Sequence, residues 1–550
     1  MAPKISVFFD KIKIVSYVLQ ITCNCLKKLP IFGTIRARYM SLIKKLAGET
    51  AIYGVSSILG RLLNYIIMTP FLTRIFTEEE YGVVGLMYAY SAVFMVFFTY
   101  RMETAFFRFG KDKKDLKRVF ITTSILILGT SILLLILLFL FSGSIAGGIS
   151  DEENIVKPYY FRLFAVILAA DALSAIPFAR LRLINRPMVF AAIRIANILI
   201  NIFFILFFLW ICPYYAERGW PTSWIYNPDD RVQYVFIANL LASVAMLLML
   251  LPSYFNIKLQ FDFSLVKRML IYAWPLIIAQ LAGVLNLQMG IFFISYTATP
   301  DEEYNIYLVG LYNAAVKIPI LMTLFTQAFN YAAEPFFFRN ADRSDSRDVY
   351  AKVAHAFTLV AVLAFLGIML YLDIIQYILG KNFREGLGIV PIFLLAYLFL
   401  GLFYNFSIWY KLADRTLVGG YIAIIGSLIS LVLNAILVPI PSIGIYGPAW
   451  AALGCFAFMA SAAYWTGQKN YKIDYPIRKM ILYIVVALSG YFVSEWGKEV
   501  WGTHFLITFA ANTFILLACS FLFYRIDAPL LDSVFVEIKK IPALKRFFKQ

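Results

Sequence analysis

Residues 103–108 read "ETAFFR" and residues 334–339 read "EPFFFR". In each, a glutamate and an arginine five positions apart bracket an aromatic run, and the copies are 231 positions apart (334 minus 103). Other fragments recur in the same order at nearly the same offset. "VGLMYA" from Val84 parallels "VGLYNA" from Val309, and "RLINRPMV" from Arg182 parallels "KLADRTLV" from Lys411. "KKLAGETAIYG" from Lys44 and "KRMLIYAWP" from Lys267 each open an apolar run. Each match is short; their collinear order argues for an internal duplication.

The duplicated unit lives in a membrane. Of 550 residues 61% are apolar and 15% charged, too few polar groups to cover a water-soluble surface. Apolar runs long enough to cross a bilayer as helices recur from Ala51 onward. The spans predicted are 51–73, 81–100, 119–142, 157–178, 188–212, 232–254, 269–296, 306–331, 350–372, 388–410, 418–438, 446–466, 479–495 and 504–524. The fold class expected is therefore an all-α polytopic membrane protein of about 14 transmembrane helices. Two parallel six-helix repeats are followed by two extra helices. The corresponding division is a basic extension (1–45), a first six-helix lobe (46–260), a second (261–470), and two added helices with a basic tail (471–550).

The net charge of +17 gains meaning from where it sits. Of 49 Lys and Arg, 38 fall on the termini and alternate connections of one side, seven on the other, and four within spans. The positive-inside rule then puts both termini in the cytoplasm. Such a distribution gives no reason to expect nucleic acid as a partner. "KISVFFDKIKIVSYVLQ" near the start is a poor signal peptide, having lysines within its apolar run and no small-residue cleavage site. It suits an interfacial helix, or lies ahead of a start at Met40. Five scattered cysteines and two histidines form no metal-binding pattern, and no cofactor motif is present.

Four ionisable residues lie deep in the spans. Arg61 is ten residues into the first, roughly 15 Å along a helix. Lys317 is at similar depth in the eighth, Arg194 in the fifth and Asp171 in the fourth. An unpaired charge there costs on the order of 3 kcal/mol, so each should face a wet cavity or a partner. Arg61 and Lys317 come from different lobes and can converge on a central cleft as a site for an anionic substrate. Pairing of Arg61 with Asp171 is the structural alternative. Glu103 and Glu334, at the mouth of that cleft, are expected to pair with Arg101, Arg108 or Arg339 and act as gates. Pro70, Pro177, Pro275 and Pro319 permit kinks. Asn64, Gln280, Asn286, Gln288, Asn313, Gln327, Asn330 and Asn405 add hydrogen-bonding groups suited to sugar or to helix association.

"KKLAGETAIYG", "EYGVVG", "METAFFRFG", "TQAFNYAAEPFFF", "FREGLGIVP" and "NFSIWYKLAD" together resemble the Wzx-type polysaccharide flippases of the multidrug/oligosaccharidyl-lipid/polysaccharide (MOP) exporter superfamily, especially those of Bacteroidetes-like bacteria. The similarity runs from about Lys44 to about Lys479. It implies a fold like that of the MATE exporters and lipid II flippases, in the bacterial inner membrane. It also implies transport of an undecaprenyl-pyrophosphate-linked oligosaccharide for O-antigen, capsule or exopolysaccharide assembly, with membrane lipids and a polysaccharide polymerase as partners. Arg61, Arg194 and Lys317 would cradle the pyrophosphate. Many relatives carry acids after the asparagine matching Asn286, whereas this chain reads "NLQMGI". Coupling to a proton or monovalent cation, if retained, would then fall to Asp171.

Two further readings are a lipid II flippase and a MATE-type drug exporter. The deep cations disfavour the latter, which would bind organic cations. A membrane enzyme would need a sizeable external loop, and the longest connection, "PYYAERGWPTSWIYNPDDR", has 19 residues. No covalent chemistry is expected.

Overall fold

The computed structural model describes residues 65–110, 115–149, 155–184, 186–219, 225–255, 261–339, 343–413, 415–501 and 505–528. The chain there is all-helical. The elements that matter below are α1 (Tyr65–Ile75), α2 (Glu78–Thr99), α3 (Met102–Phe109), α4 (Leu116–Gly147), α5 (Pro158–Leu183), α6 (Pro187–Leu206) and α7 (Gln233–Leu250). They are followed by α8 (Phe263–Thr297), α9 (Glu302–Val316), α10 (Ile320–Arg339), α11 (Ser346–Leu370), α12 (Val390–Phe406), α13 (Thr416–Leu437), α14 (Gly447–Asn470), α15 (Ile477–Trp501) and α16 (Phe505–Ile526). Among the described residues, twelve helices are long and apolar enough to cross a membrane, and α9 with α10 supplies a thirteenth, bent by 48°. The shorter α1 coincides with the end of the first expected span. Large apolar side chains such as Leu140, Phe263 and Leu506 stay exposed on the outside, as a hydrocarbon solvent allows.

The second span is two helices. Tyr100 (φ 29°) and Arg101 (φ 57°) both adopt left-handed backbone, and the chain restarts as α3, which carries "ETAFFR". The Tyr100 ring is buried, and its hydroxyl accepts from Thr130 of α4 at 3.2 Å. Core packing holds a conformation that L-residues otherwise avoid. The equivalent eighth span breaks elsewhere. Lys317 closes α9, and Pro319, which has no N–H to give, precedes α10. "EPFFFR" lies well beyond that bend, at the end of α10. By contrast Pro177 and Pro275 are accommodated inside α5 and α8.

The two repeats meet where α2 and α9 begin. Thr77 and Glu80 form a capping box, Glu80 N–H donating to Thr77 Oγ1 at 3.3 Å and Thr77 N–H to Glu80 Oε2 at 3.0 Å. Arg231 grips the same carboxylate with two nitrogens, at 2.7 and 3.1 Å. From this fixed start, α2 lies directly on α9. A Cβ at Gly85 would overlap the Asn313 side chain, and one at Gly310 would overlap the Glu78 carbonyl. These two glycines occupy the same place in "VGLMYA" and "VGLYNA". The repeated fragment thus meets its own copy across the interface, with small residues admitting the close backbone approach. Gly380 N–H donates to Thr73 Oγ1 at 2.9 Å, Arg74 reaches the Tyr377 carbonyl at 2.6 Å, and Tyr81 packs edge-on against Phe383.

Farther along, the two chains of helix part company. α3 packs chiefly on α8, α5 and α4, whereas α10 packs on α12 and α11. The two run as a V, in contact where α2 and α9 start and set against different neighbours where α3 and α10 end. α8 leans across one flank. Its first turns touch the first repeat through Arg118–Asp262 and Arg108 over the Tyr272 ring, and Tyr90 and Tyr296 hydroxyls meet near its end. The two added helices dock on α11. His355 Nε2 lies 3.1 Å from Tyr483 Oη, and Asn512 donates to the Leu370 carbonyl at 2.5 Å.

Candidate functional site

Lys317 sits at the bend between α9 and α10, just past the stretch where α2 and α9 pack together. Its Nζ lies 5.7 Å from the centre of the Tyr65 ring on α1, a contact between the two repeats. It makes no ion pair among the described residues. Its side chain is half-buried. Tyr65 in turn belongs to a chain of phenols drawn from both repeats. Tyr65 lies within electrostatic reach of Tyr397 on α12 and of Tyr81 on α2, and Tyr397 within reach of Tyr312 on α9. An ammonium with phenolic O–H donors close by can receive an anion.

Arg61 lies outside the described residues. It is four positions before Tyr65 in the sequence. Arg194, expected beside Lys317, instead stacks over Phe178 at 4.3 Å and lies 5.7 Å from the Phe190 ring centre, contacts that stay within the first repeat. There it acts on Asp171 of α5, together with Ser243 of α7. The Asp171 carboxylate also acts on Tyr88, whose hydroxyl accepts from Asn239 at 3.2 Å. One Asp171 oxygen, Oδ1, is buried without a hydrogen-bond partner. A polar constellation of α2, α5, α6 and α7 therefore stands apart from the contact that Lys317 makes.

The Arg339 side chain lies outside the described residues, and among these Glu103 pairs with neither Arg101 nor Arg108. Its carboxylate is bound by Arg182 of α5, whose guanidinium also stacks 4.9 Å over Phe107. The left-handed turn at Tyr100–Arg101 reorients α3, so Glu103 meets α5 of its own repeat. Arg108 takes the Tyr272 ring as its partner, at 4.2 Å. The Glu334 side chain lies outside what the structure describes; its backbone belongs to α10. On α8, the Asn286 amide reaches only Cys455 Sγ, at 4.0 Å, and its oxygen is buried without a partner.

Asp262 caps α8. Its carboxylate is held below the usual range by the Leu265 N–H first, then by the Ser264 hydroxyl and, more weakly, the Arg118 charge. The residues that sequence reasoning missed are the phenols Tyr65, Tyr81, Tyr312 and Tyr397. Nothing distinguishes them locally among 35 tyrosines.

Known proteins share this fold. A lipid II flippase, MurJ, described in an inward closed conformation, superposes with a TM-score of 0.66 at 16% identity, over 86% of this chain and 99% of that one. An outward-facing multidrug resistance MATE family transporter of the MOP superfamily gives 0.55 at 13% identity, over 78% and 97%. A MOP superfamily transporter from Pyrococcus furiosus gives 0.54 at 12% identity, over 78% and 97%. At these identities the likeness shows a common fold. No curated protein matches the chain. The family model described as "Polysaccharide biosynthesis protein" matches residues 46–341, more than half of the chain. Multi-pass membrane helices in the MOP-type fold and this match together lead to one conclusion: the chain belongs to the polysaccharide biosynthesis protein family.

Proposed function

We propose that the protein is a flippase that carries an undecaprenyl-pyrophosphate-linked oligosaccharide from the cytoplasmic to the periplasmic leaflet of a bacterial inner membrane, for surface polysaccharide assembly. It performs no covalent chemistry. The observation that carries this reading is the Lys317 ammonium, without an ion pair among the described residues, where the two repeats join. Keeping a charge at that depth is costly unless a ligand compensates it. A diphosphate does so, and phenolic donors supply further hydrogen bonds. Arg61 completes the cradle. Arg194 serves the Asp171 constellation, which is the place for a proton or monovalent cation that drives the cycle.

With the basic-rich ends in the cytoplasm, the V opens inward, and its closed end, bearing Gly85 and Gly310, faces the periplasm. Alternating access then requires α2 and α9 to part while α3 and α10 approach. Glu103, released from Arg182, and Glu334 are the carboxylates available to latch the inner mouth. The likeness to MurJ supports a second substrate of the same chemistry, lipid II.

Reconstituted protein tests the reading. Lys317→Ala should insert normally yet leave fluorescent pyrophosphate-linked sugars on the leaflet where they were loaded, while Lys317→Arg retains part of the activity. Undiminished transfer by Lys317→Ala overturns it. Comparison of a lipid-linked oligosaccharide with lipid II in the same vesicles separates the two substrates.

A further inference from the structure

A second site lies away from the V. Where α11 ends and α15 gives way to α16, a hollow of about 250 Å³ opens, below the roughly 300–1,000 Å³ of pockets for drug-sized ligands. Tyr371, Asp373, Gln376, Lys498, Thr508 and Phe509 line it. The Lys498 ammonium lies 3.0 Å from Asp373 Oδ2 and 2.8 Å from Glu495 Oε1. Asn512, also in the wall, is committed to Ser494 and to the Leu370 carbonyl, both at 2.5 Å, so the walls are braced. Thr508 is only 8% exposed, and its hydroxyl has no partner. A buried hydroxyl left unpaired beside a hollow marks a place for a ligand's hydrogen bond.

The chemistry narrows the ligand. In the wall Lys498 and Asp373 neutralise each other, so neither a cation nor an anion finds a net charge to hold it. What fits is a neutral molecule with hydroxyls on its edge and an apolar face. The Tyr371 and Phe509 rings, 5.6 Å apart, offer that face a surface. We propose that this hollow binds a single pyranose ring. Its place adds meaning. The segment that forms one wall continues from Tyr377, whose carbonyl takes Arg74, to Gly380, bonded to Thr73. The hollow thus adjoins the closed end of the V. That the sugar belongs to a carried glycan rests on the flippase reading; the binding of a free sugar does not.

Saturation-transfer NMR on the full-length protein in nanodiscs, with D-glucose, D-galactose and N-acetyl-D-glucosamine as probes, tests the proposal. At least one probe should receive saturation from the unaltered protein. Thr508→Val and Phe509→Ala should each cut that signal by about fivefold or more, the loss expected for one hydrogen bond or stacking contact. Thr508→Ser should restore it, and Lys317→Ala should leave it unchanged. No transfer from any of the three sugars, or transfer indifferent to Thr508→Val, overturns the proposal. Transfer abolished by Lys317→Ala alone would place the sugar in the central cleft and overturn it equally. Failure of lipid transport with sugar binding intact would sink the flippase reading and spare this one.

Discussion

The two copies of the repeated motif end two helices that bend in different places. In the first, the break falls at Tyr100–Arg101, immediately before "ETAFFR", where Glu103 is taken by Arg182 of α5 and Arg108 by the Tyr272 ring. In the second, the break falls at Lys317–Pro319, far ahead of "EPFFFR", and leaves an ammonium in the interior. Duplication supplied two similar helices. The difference lies in which one bends at membrane depth and what it carries there. A bend near the helix end shapes packing; a bend at the junction of the repeats places a charge there.

The largest effect should come from Lys317. Removing a charge-assisted contact to substrate costs about 1.5–3 kcal/mol, so Lys317→Ala should slow lipid transfer by about 10- to 100-fold. Thermal stability should not fall, because an enclosed charge without a carboxylate partner is removed. Arg101→Ala, at the other bend, should leave transfer within about threefold if the two bends differ as argued.

The glycine contact is next. Gly310→Leu or Gly85→Leu forces side chains into the α2–α9 interface, at a cost of about 1–3 kcal/mol to the closed arrangement. A cysteine at Asn313 should then react about 5- to 100-fold faster with a membrane-impermeant thiol reagent. Unchanged reactivity would show that this contact does not set the closed state.

Positions equivalent in the repeat should respond with opposite sign. Arg101 and Ala332 are 231 positions apart, in the same register as the motif. Arg101→Gly relieves a left-handed φ of 57° and should stabilise the protein by about 1 kcal/mol. Ala332→Gly, in regular helix, should destabilise it by about 1 kcal/mol. Thermal unfolding in one detergent measures both.

The smallest effect concerns pH. The folded-state carboxyl of Asp262 titrates below its unfolded value. Its contribution is therefore fully present above the unfolded value, near 3.9, and is lost as pH falls through the lower folded one. Asp262→Asn should flatten that acid limb of the stability profile and change little at pH 7.

The spans were legible because a bilayer demands some twenty apolar residues per crossing, and their alternating charge gave the expected sidedness. The duplication was legible from collinear fragments, and Lys317 from the cost of a charge at its depth. The left-handed break was not, because "TYRME" holds neither glycine nor proline and only burial of the Tyr100 ring imposes it. Nor was the partner of Glu103, since Arg182 lies 79 positions away and is chosen by how α3 is aimed. The glycines of "VGLMYA" and "VGLYNA" stood in plain sight, but that the fragment packs on its own copy is a fact of tertiary structure.

The central claim is that Lys317 holds a diphosphate at the junction of the repeats. Its most direct test is the stabilisation of the purified protein in nanodiscs by undecaprenyl pyrophosphate, against undecaprenol as the uncharged control. The diphosphate lipid should raise the unfolding temperature of the unaltered protein and not that of Lys317→Ala, with undecaprenol inert in both. Equal stabilisation of the two proteins by the diphosphate lipid would contradict the account.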